Sequence, residues 1–227
     1  MCLILVAWKM HEGRRLVVAA NRDEFHARPA SAAAFWPDQP AILAGRDLQA
    51  GGTWLGVSRK GRFAAVTNYR GAHDPSAAES RGALVTRFLL GGQTPGEFMA
   101  GIDGARYSGF NLLAADHDEL GWMSNRGNGV RRLEPGFYAL GNLLLDSPEV
   151  HEIRARFGSA PVAMEPLFSL VASAKIVAPV YGTRCSTILI SDAEGRVQFA
   201  ERPFDPEGRP GTTVRYEFTE AAASAGA

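Results

Sequence analysis

The order of short extended segments constrains the fold of this 227-residue chain more than any other feature of its sequence. Residues 2–8 and 15–20 are apolar and rich in β-branched side chains, and residues 53–58 and 62–68 form a second pair of this kind. A short glycine-containing turn separates the two members of each pair. This pattern is typical of β-hairpins, in which consecutive strands run antiparallel.

Helical periodicity follows these hairpins, and strand-like segments then return. The predicted helices are 81–90, 95–102, 149–157 and 164–174. The further predicted strands are 110–115, 121–124, 130–133, 136–140, 187–191, 197–202 and 213–218. We expect Ser80 and Thr94 to cap the first two helices, and we expect the stretch from 29 to about 40 to be irregular. Strands that cluster, with hairpin turns in place of alternating βαβ units, favour an antiparallel α+β fold.

Composition limits the classes of function. The chain has 24 basic and 24 acidic residues, so its formal net charge is zero, which argues against a dedicated nucleic-acid binder. No apolar stretch approaches the roughly 18 residues of a membrane-spanning helix, and the opening run is too short for a signal peptide. We therefore predict a cytoplasmic protein without stable membrane insertion, with one domain over 1–220 and a disordered tail over 221–227.

The sequence contains none of the common spacings for a metal or a nucleotide cofactor. The five histidines form no HxxxH or HExxH pair, and neither cysteine has a CxxC neighbour. The glycine-rich motifs that hold phosphates, GxxxxGK[ST] and GxGxxG, are absent from the sequence. We predict no metal and no cofactor, and the sequence does not specify an oligomeric state.

Cys2 is a candidate nucleophile because removal of Met1 would make it the N-terminal residue. Its α-amine would have a pKa of about 7.7–8.0, low enough to accept the proton of its own thiol near neutral pH. One residue would then supply both nucleophile and base. The alternative is that Cys2 is a buried small residue that begins a strand.

Polar residues also collect where the predicted strands begin and end. These segments are Asn21–Glu24, Gly51–Gly56, Thr67–Arg70, Gly141–Asn142 and Gly182–Arg184. Polar groups at strand ends are well placed to form a site on a rigid sheet. Each segment is also consistent with an ordinary turn, since Asn, Asp and Gly favour turn conformations.

Two runs carry a resemblance to a known family. LVVAANRDEFHARPA, followed by ILAGRDLQAGGTWLGVSRKGRFAAVTNYR, resembles the NRDE family, also called the transport-and-Golgi-organisation family. Met-Cys at the start, GNLLLDSP at 141–148 and GTRCSTILI at 182–190 are similar to the same family. The resemblance implies the four-layer αββα sandwich of N-terminal nucleophile (Ntn) hydrolases, with two mainly antiparallel sheets between helices.

The cysteine-type Ntn hydrolases suggest a catalytic set by analogy. The residues that occur here in the same order are Cys2, Arg22, Asp23, Asn68, Asn142 and Arg184. The resemblance implies that Asp23 orients the nucleophile, that Arg22 favours thiolate, and that the two asparagines stabilise an oxyanion. It implies for Arg184 a charge near the nucleophile or a substrate clamp. The alternative is that Asp23 forms a buried ion pair with Arg22 or Arg184 that only holds the loops in place. Asn142 is preferred over Asn111 as the second asparagine.

Four neighbours of these residues are predicted to bind substrate: Asn21, Glu24, Trp54 and Tyr69. The two aromatic rings are equally consistent with ordinary core packing. The resulting prediction is a hydrolase that cleaves a non-peptide amide or a thioester in a small molecule. The alternative, which rests on associations of the family, is a non-catalytic protein that binds or transports haem or an acyl-coenzyme A on the same scaffold.

Overall fold

The structure is a computed structural model that describes residues 2–221. The predicted disordered tail falls, apart from Ala221, outside the described residues. The strands within this range are β1 (Leu3–His11), β2 (Arg14–Phe25), β3 (Ala30–Trp36), β4 (Gln39–Asp47), β5 (Leu55–Ser58), β6 (Phe63–Asn68), β7 (Phe110–Ala115), β8 (Leu120–Ser124), β9 (Val130–Leu133), β10 (Gly136–Leu140), β11 (Tyr181–Asp192), β12 (Arg196–Pro203) and β13 (Val214–Thr219). The α-helices are α1 (Gly82–Leu90), α2 (Pro95–Ala100), α3 (His151–Gly158) and α4 (Met164–Ala172).

The strands form two antiparallel sheets. The first has the order β10-β1-β2-β11-β12-β13, and the second runs from β3 to β9 in chain order. Both predicted hairpins are confirmed, as β1–β2 and β5–β6. In the middle of the first sheet, Leu5 lies opposite Ala19, which in turn lies opposite Ile188. The N-terminal hairpin is therefore extended by a strand that begins about 160 residues later in the chain.

Helices cover both outer faces of the paired sheets. α3 and α4 pack on the first sheet, and α1 and α2 pack on the second. Between the sheets lies an apolar layer that includes Trp8, Phe63 and Phe199. Because the first sheet is covered on both sides, β1 is apolar on both of its faces, with Leu5 toward α3 and α4 and Val6 toward the second sheet. This is a four-layer αββα sandwich, as the resemblance implied.

Of the two predicted helix N-caps, one is present in the structure and one is not. The Thr94 side chain accepts a hydrogen bond from the Glu97 backbone N–H, and the Glu97 carboxylate accepts one from the Thr94 backbone N–H. These two bonds form a capping box at the predicted N-cap of α2. At α1 the N-cap is Arg81, and no side chain caps the helix. The prediction that Ser80 caps α1 was wrong, because the N-cap position is Arg81 and no side-chain hydrogen bond caps this end of the helix.

The stretch predicted to be irregular, from 29 to about 40, forms regular strands instead. Residues 30–47 form β3 and β4, at one edge of the second sheet. Alanine has little strand preference of its own, but Ala33 and Trp36 are buried there and Phe35 contacts the rings of Tyr216 and Phe218. Packing against the first sheet, which no local pattern shows, makes this segment a strand.

Candidate active site

A cleft opens between the two sheets beside the start of β1. Its walls come from the first strand, the end of β2, the β4–β5 loop, the end of β6 and the start of α1. The lining residues that carry functional groups are Cys2, Arg22, Asp23, Glu24, Arg28, Asp47, Thr53, Trp54, Asn68, Ser80 and Arg81. The cavity volume is about 90 Å³, well below the roughly 300–1,000 Å³ of sites that enclose a drug-sized ligand. A cavity of this size can enclose only part of such a ligand.

Two glycines allow the loop after β4 to form one wall of this cleft. A Cβ atom on Gly52 would lie 2.6 Å from the carbonyl carbon of Gly82, at the start of α1. Only a residue without a side chain permits this approach. The GGTW segment therefore packs directly on the start of α1, and the Trp54 ring faces the end of β2.

Strand alternation divides the NRDE segment between two environments. β2 continues through Phe25, so Asn21–Glu24 lies within the strand. The sequence had suggested that this segment follows the end of the strand. Arg22 points between the sheets, with its guanidinium 4.2 Å from the centre of the Trp54 ring. The side chain of Asn21 is buried, donates to the Val171 carbonyl of α4 at 2.8 Å and accepts from Ser186 at 2.6 Å. Asn21 is not among the residues that line the cleft, and these contacts join β2 to β11 and α4.

The Cys2 thiol lies on the cleft wall and is half-buried. Its Sγ donates to the backbone carbonyl oxygen of Asp23 at 3.4 Å. Burial raises the pKa of the thiol to about 11, and the negative charge of Asp23 acts in the same direction. The positive charge of Arg22 opposes them and lowers this pKa. In this state the Cys2 side chain is a neutral thiol at neutral pH, so it needs a base before it can act as a nucleophile.

We expect the alkylation rate of Cys2 to keep rising with pH beyond the range of an ordinary cysteine. Only the thiolate reacts, so the rate should increase about tenfold per pH unit from pH 7 to 10 and level off near the pKa of about 11. A free cysteine levels off near its pKa of about 8.5. Iodoacetamide labelling followed by mass spectrometry of the Cys2 peptide measures this profile. A plateau below pH 9 would contradict the raised pKa.

Asp23 is held by two side chains of β11. Thr183 donates its hydroxyl to Asp23 Oδ1 at 2.5 Å, and Tyr181 donates to the Asp23 backbone carbonyl at 3.1 Å. β11 begins at Tyr181, so Gly182–Arg184 lies inside the strand and not before it, contrary to the sequence prediction. Neither Tyr181 nor Thr183 was among the predicted site residues, although their i, i+2 spacing is the signal of two side chains on one strand face.

Arg184 lies outside the cleft. Its Nη1 donates to the carbonyl oxygens of Phe25, His26 and Arg28 at 2.9, 3.1 and 3.2 Å. The guanidinium thereby fixes the turn that follows β2. Arg184 thus holds a loop through backbone carbonyls and not through the ion pair with Asp23 that the alternative named. The predicted role beside the nucleophile has no contact in the structure to support it.

Of the predicted asparagine pair, only Asn68 lines the cleft. Asn142 is not one of the lining residues, and its Nδ2 donates to the Asn68 backbone carbonyl at 2.7 Å, so it supports the end of β6. Asn111 is fully buried and donates to Thr67 Oγ1 and to the Leu143 carbonyl. Tyr69 is half-buried, and its backbone N–H is bonded to Gly109; it does not line the cleft either.

Three charged residues that the sequence analysis did not select also line the cleft. Arg28 donates to Asp47 at 2.6 Å, and Asp47 also pairs with Arg22 at 3.6 Å. Burial raises the pKa of Asp47, but the hydrogen bonds from Arg28 and from backbone N–H groups outweigh it and keep this pKa below its usual value. Arg81 is the third, and burial lowers its pKa. Arg28 and Asp47 lie within the two runs that carry the family resemblance, so the sequence offered a signal for selecting them. Arg81 lies outside these runs, and no sequence pattern marked it.

The αββα architecture, with a cysteine at the start of the first strand facing an inter-sheet cleft, defines the Ntn-hydrolase fold. Solved structures agree on this fold. The Caenorhabditis elegans orthologue of N-acylethanolamine-hydrolyzing acid amidase superposes with a TM-score of 0.55 at 10% identity, covering 83% of this chain and 92% of that one. The C2A mutant of the conjugated bile acid hydrolase from Clostridium perfringens gives 0.53 at 9% identity, covering 97% and 98%.

Sequence comparison gives the family. The profile of the Transport and Golgi organisation 2 family matches residues 1–163. The human Transport and Golgi organization protein 2 homolog is 34% identical over 255 aligned residues, covering 90% of this chain and 92% of the human protein. The bovine homolog is 35% identical, covering 83% and 86%. The chain belongs to the Transport and Golgi organisation 2 family, so the resemblance of its NRDE runs is confirmed.

Among residues 2–221, no helix is long and apolar enough to cross a membrane.

Proposed function

We propose that this protein is a cysteine hydrolase of the Ntn type that cleaves a non-peptide amide or a thioester bond in a small molecule. After removal of Met1, the Cys2 thiol gives its proton to its own α-amine while the sulfur attacks the substrate carbonyl carbon. The amine or thiol leaving group takes that proton, and water then hydrolyses the acyl-cysteine. No metal or cofactor enters these steps.

One observation carries this proposal: the Cys2 thiol shares a confined cleft with Asp23 and Arg22. The raised pKa of the thiol fits a mechanism in which a base removes the proton during attack, rather than one that begins from a stable thiolate. The solved structures of the same fold support the chemistry as well, since the names of both describe hydrolases.

The test begins with the N-terminus and continues with substrates. We expect the intact mass of untagged protein from its native host to lack one methionine. That material, incubated with N-acylethanolamines, conjugated bile acids and short acyl thioesters, should release product from at least one of these classes. A retained Met1 in the native protein would contradict the mechanism, because the Cys2 nitrogen would then be an amide without basicity.

A further inference from the structure

Arg81 is the cleft cation that has no acidic partner in the part of the chain the structure describes. Its side chain is half-buried and lines the same cavity as Cys2. One nitrogen, Nη1, donates to the Gly109 carbonyl at 3.2 Å, which orients the guanidinium. Among residues 2–221, no carboxylate oxygen comes within 4.0 Å of it. Arginine remains protonated in proteins, so this group carries its charge into the cleft.

The other two cleft arginines differ in this respect. Arg28 pairs with Asp47 at 2.6 Å and with Glu24 at 3.8 Å, and Arg22 pairs with the same Asp47 and stacks on Trp54. Each of these two guanidinium groups thus pairs with a carboxylate of the cleft. The third cleft acid, Asp23, accepts a hydrogen bond from Thr183 and lies beyond ion-pair distance of Arg81. A half-buried cation without such compensation has lost part of its hydration, so an anion in the cleft restores a favourable interaction.

We infer that Arg81 binds an anionic group of the substrate, a carboxylate or a phosphate, close to the bond that Cys2 attacks. This inference rests on the proposed function, of which it names the substrate class. A cavity of about 90 Å³ leaves room for the scissile group and a small oxyanion side by side. Substrates of this class are acylated amines or thiols whose leaving group carries a negative charge a few bonds from the carbonyl.

Glu24 is the carboxylate of this chain that could take the place of a substrate anion beside Arg81. It raises the pKa of Arg81 from beyond ion-pair distance, while Arg28 acts in the opposite direction. The Glu24 carboxylate is already engaged, because it accepts from the Phe25 backbone N–H at 2.9 Å and faces Arg28. If Arg81 served only to balance Glu24, its removal would weaken charged and neutral ligands alike.

The test measures binding with three matched probes in a background that cannot turn them over. The probes are N-hexanoylglycine, N-hexanoyl-aminomethylphosphonate and the neutral N-hexanoylglycinamide, titrated calorimetrically into full-length C2A protein. We expect the two anions to bind more tightly than the neutral probe. In the C2A background, R81Q should raise the Kd of both anions by about tenfold to a hundredfold, the range for a lost charge-assisted hydrogen bond, and R81K should fall between.

The matched control is R87Q, which removes an arginine of the same helix. Arg87 pairs with Glu79 and does not line the cleft, so the Kd values should change less than twofold. An effect of R81Q on all three probes alike would overturn the inference, as would equal affinity for anion and neutral probe. Wild-type turnover separates the two proposals. Cys2-dependent cleavage of the neutral probe without any anion preference refutes only the anion site, whereas Arg81-dependent anion binding without turnover refutes only the hydrolase.

Discussion

Replacement of Cys2 by alanine is expected to reduce turnover of any hydrolysed substrate by about a thousandfold or more, in line with the loss of a nucleophile in other hydrolases. The sulfur would form the acyl intermediate, and the alanine side chain has no nucleophilic atom to replace it. The fold should be retained, because Cys2 is half-buried and makes one long hydrogen bond. The melting temperature should therefore shift by no more than about 2–4 °C. Steady-state kinetics and thermal denaturation of the same preparations measure both effects.

The matched control is Cys185→Ala, which removes the other cysteine. Cys185 is buried between the sheets and donates to Glu201 Oε2 at 3.5 Å. Its replacement should lower stability somewhat, through the small cavity it leaves, and preserve turnover within a few-fold. If the C2A protein retained near-wild-type turnover, the cysteine mechanism would be wrong. Equal losses in the two variants would point to damage to the fold instead of the loss of a nucleophile.

Asp23→Asn is expected to change turnover and thiol reactivity in opposite directions. Turnover should fall by about a hundredfold or more, because the carboxylate would no longer orient and stabilise the α-ammonium that forms when Cys2 gives up its proton. The charge of Asp23 raises the pKa of the Cys2 thiol, so its removal lowers that pKa and increases the thiolate fraction at pH 8. Alkylation of Cys2 should accordingly become faster while hydrolysis becomes slower.

This opposition distinguishes a mechanistic role from simple disruption of the site. Asp38→Asn is the control, since Asp38 is exposed, pairs with Arg46 and does not line the cleft; neither rate should change. A local loss of structure in the Asp23 variant would slow hydrolysis without lowering the pKa of the Cys2 thiol, so the pH profile of Cys2 alkylation would not shift to lower pH. An unchanged rate of hydrolysis would remove Asp23 from the mechanism.

Local sequence patterns predicted the parts of the fold that depend on near neighbours. The hairpins β1–β2 and β5–β6 and the capping box at Thr94 depend on residues a few positions apart, so their signals lie within a short window. The stretch from 29 to about 40 was mispredicted because its strand character depends on packing of Phe35 against Tyr216 and Phe218, about 180 residues away.

The sequence by itself determined the family and the antiparallel α+β class. Only the tertiary structure decided which polar side chains face that cleft. Alternation along β2 sends Asn21 toward α4 and Arg22 toward Trp54, and the pairing of β11 with β2 brings Thr183 to Asp23 across 160 positions. The physical reason is that a side chain's direction depends on where its strand begins and on its register with a partner. Long-range burial sets both of these.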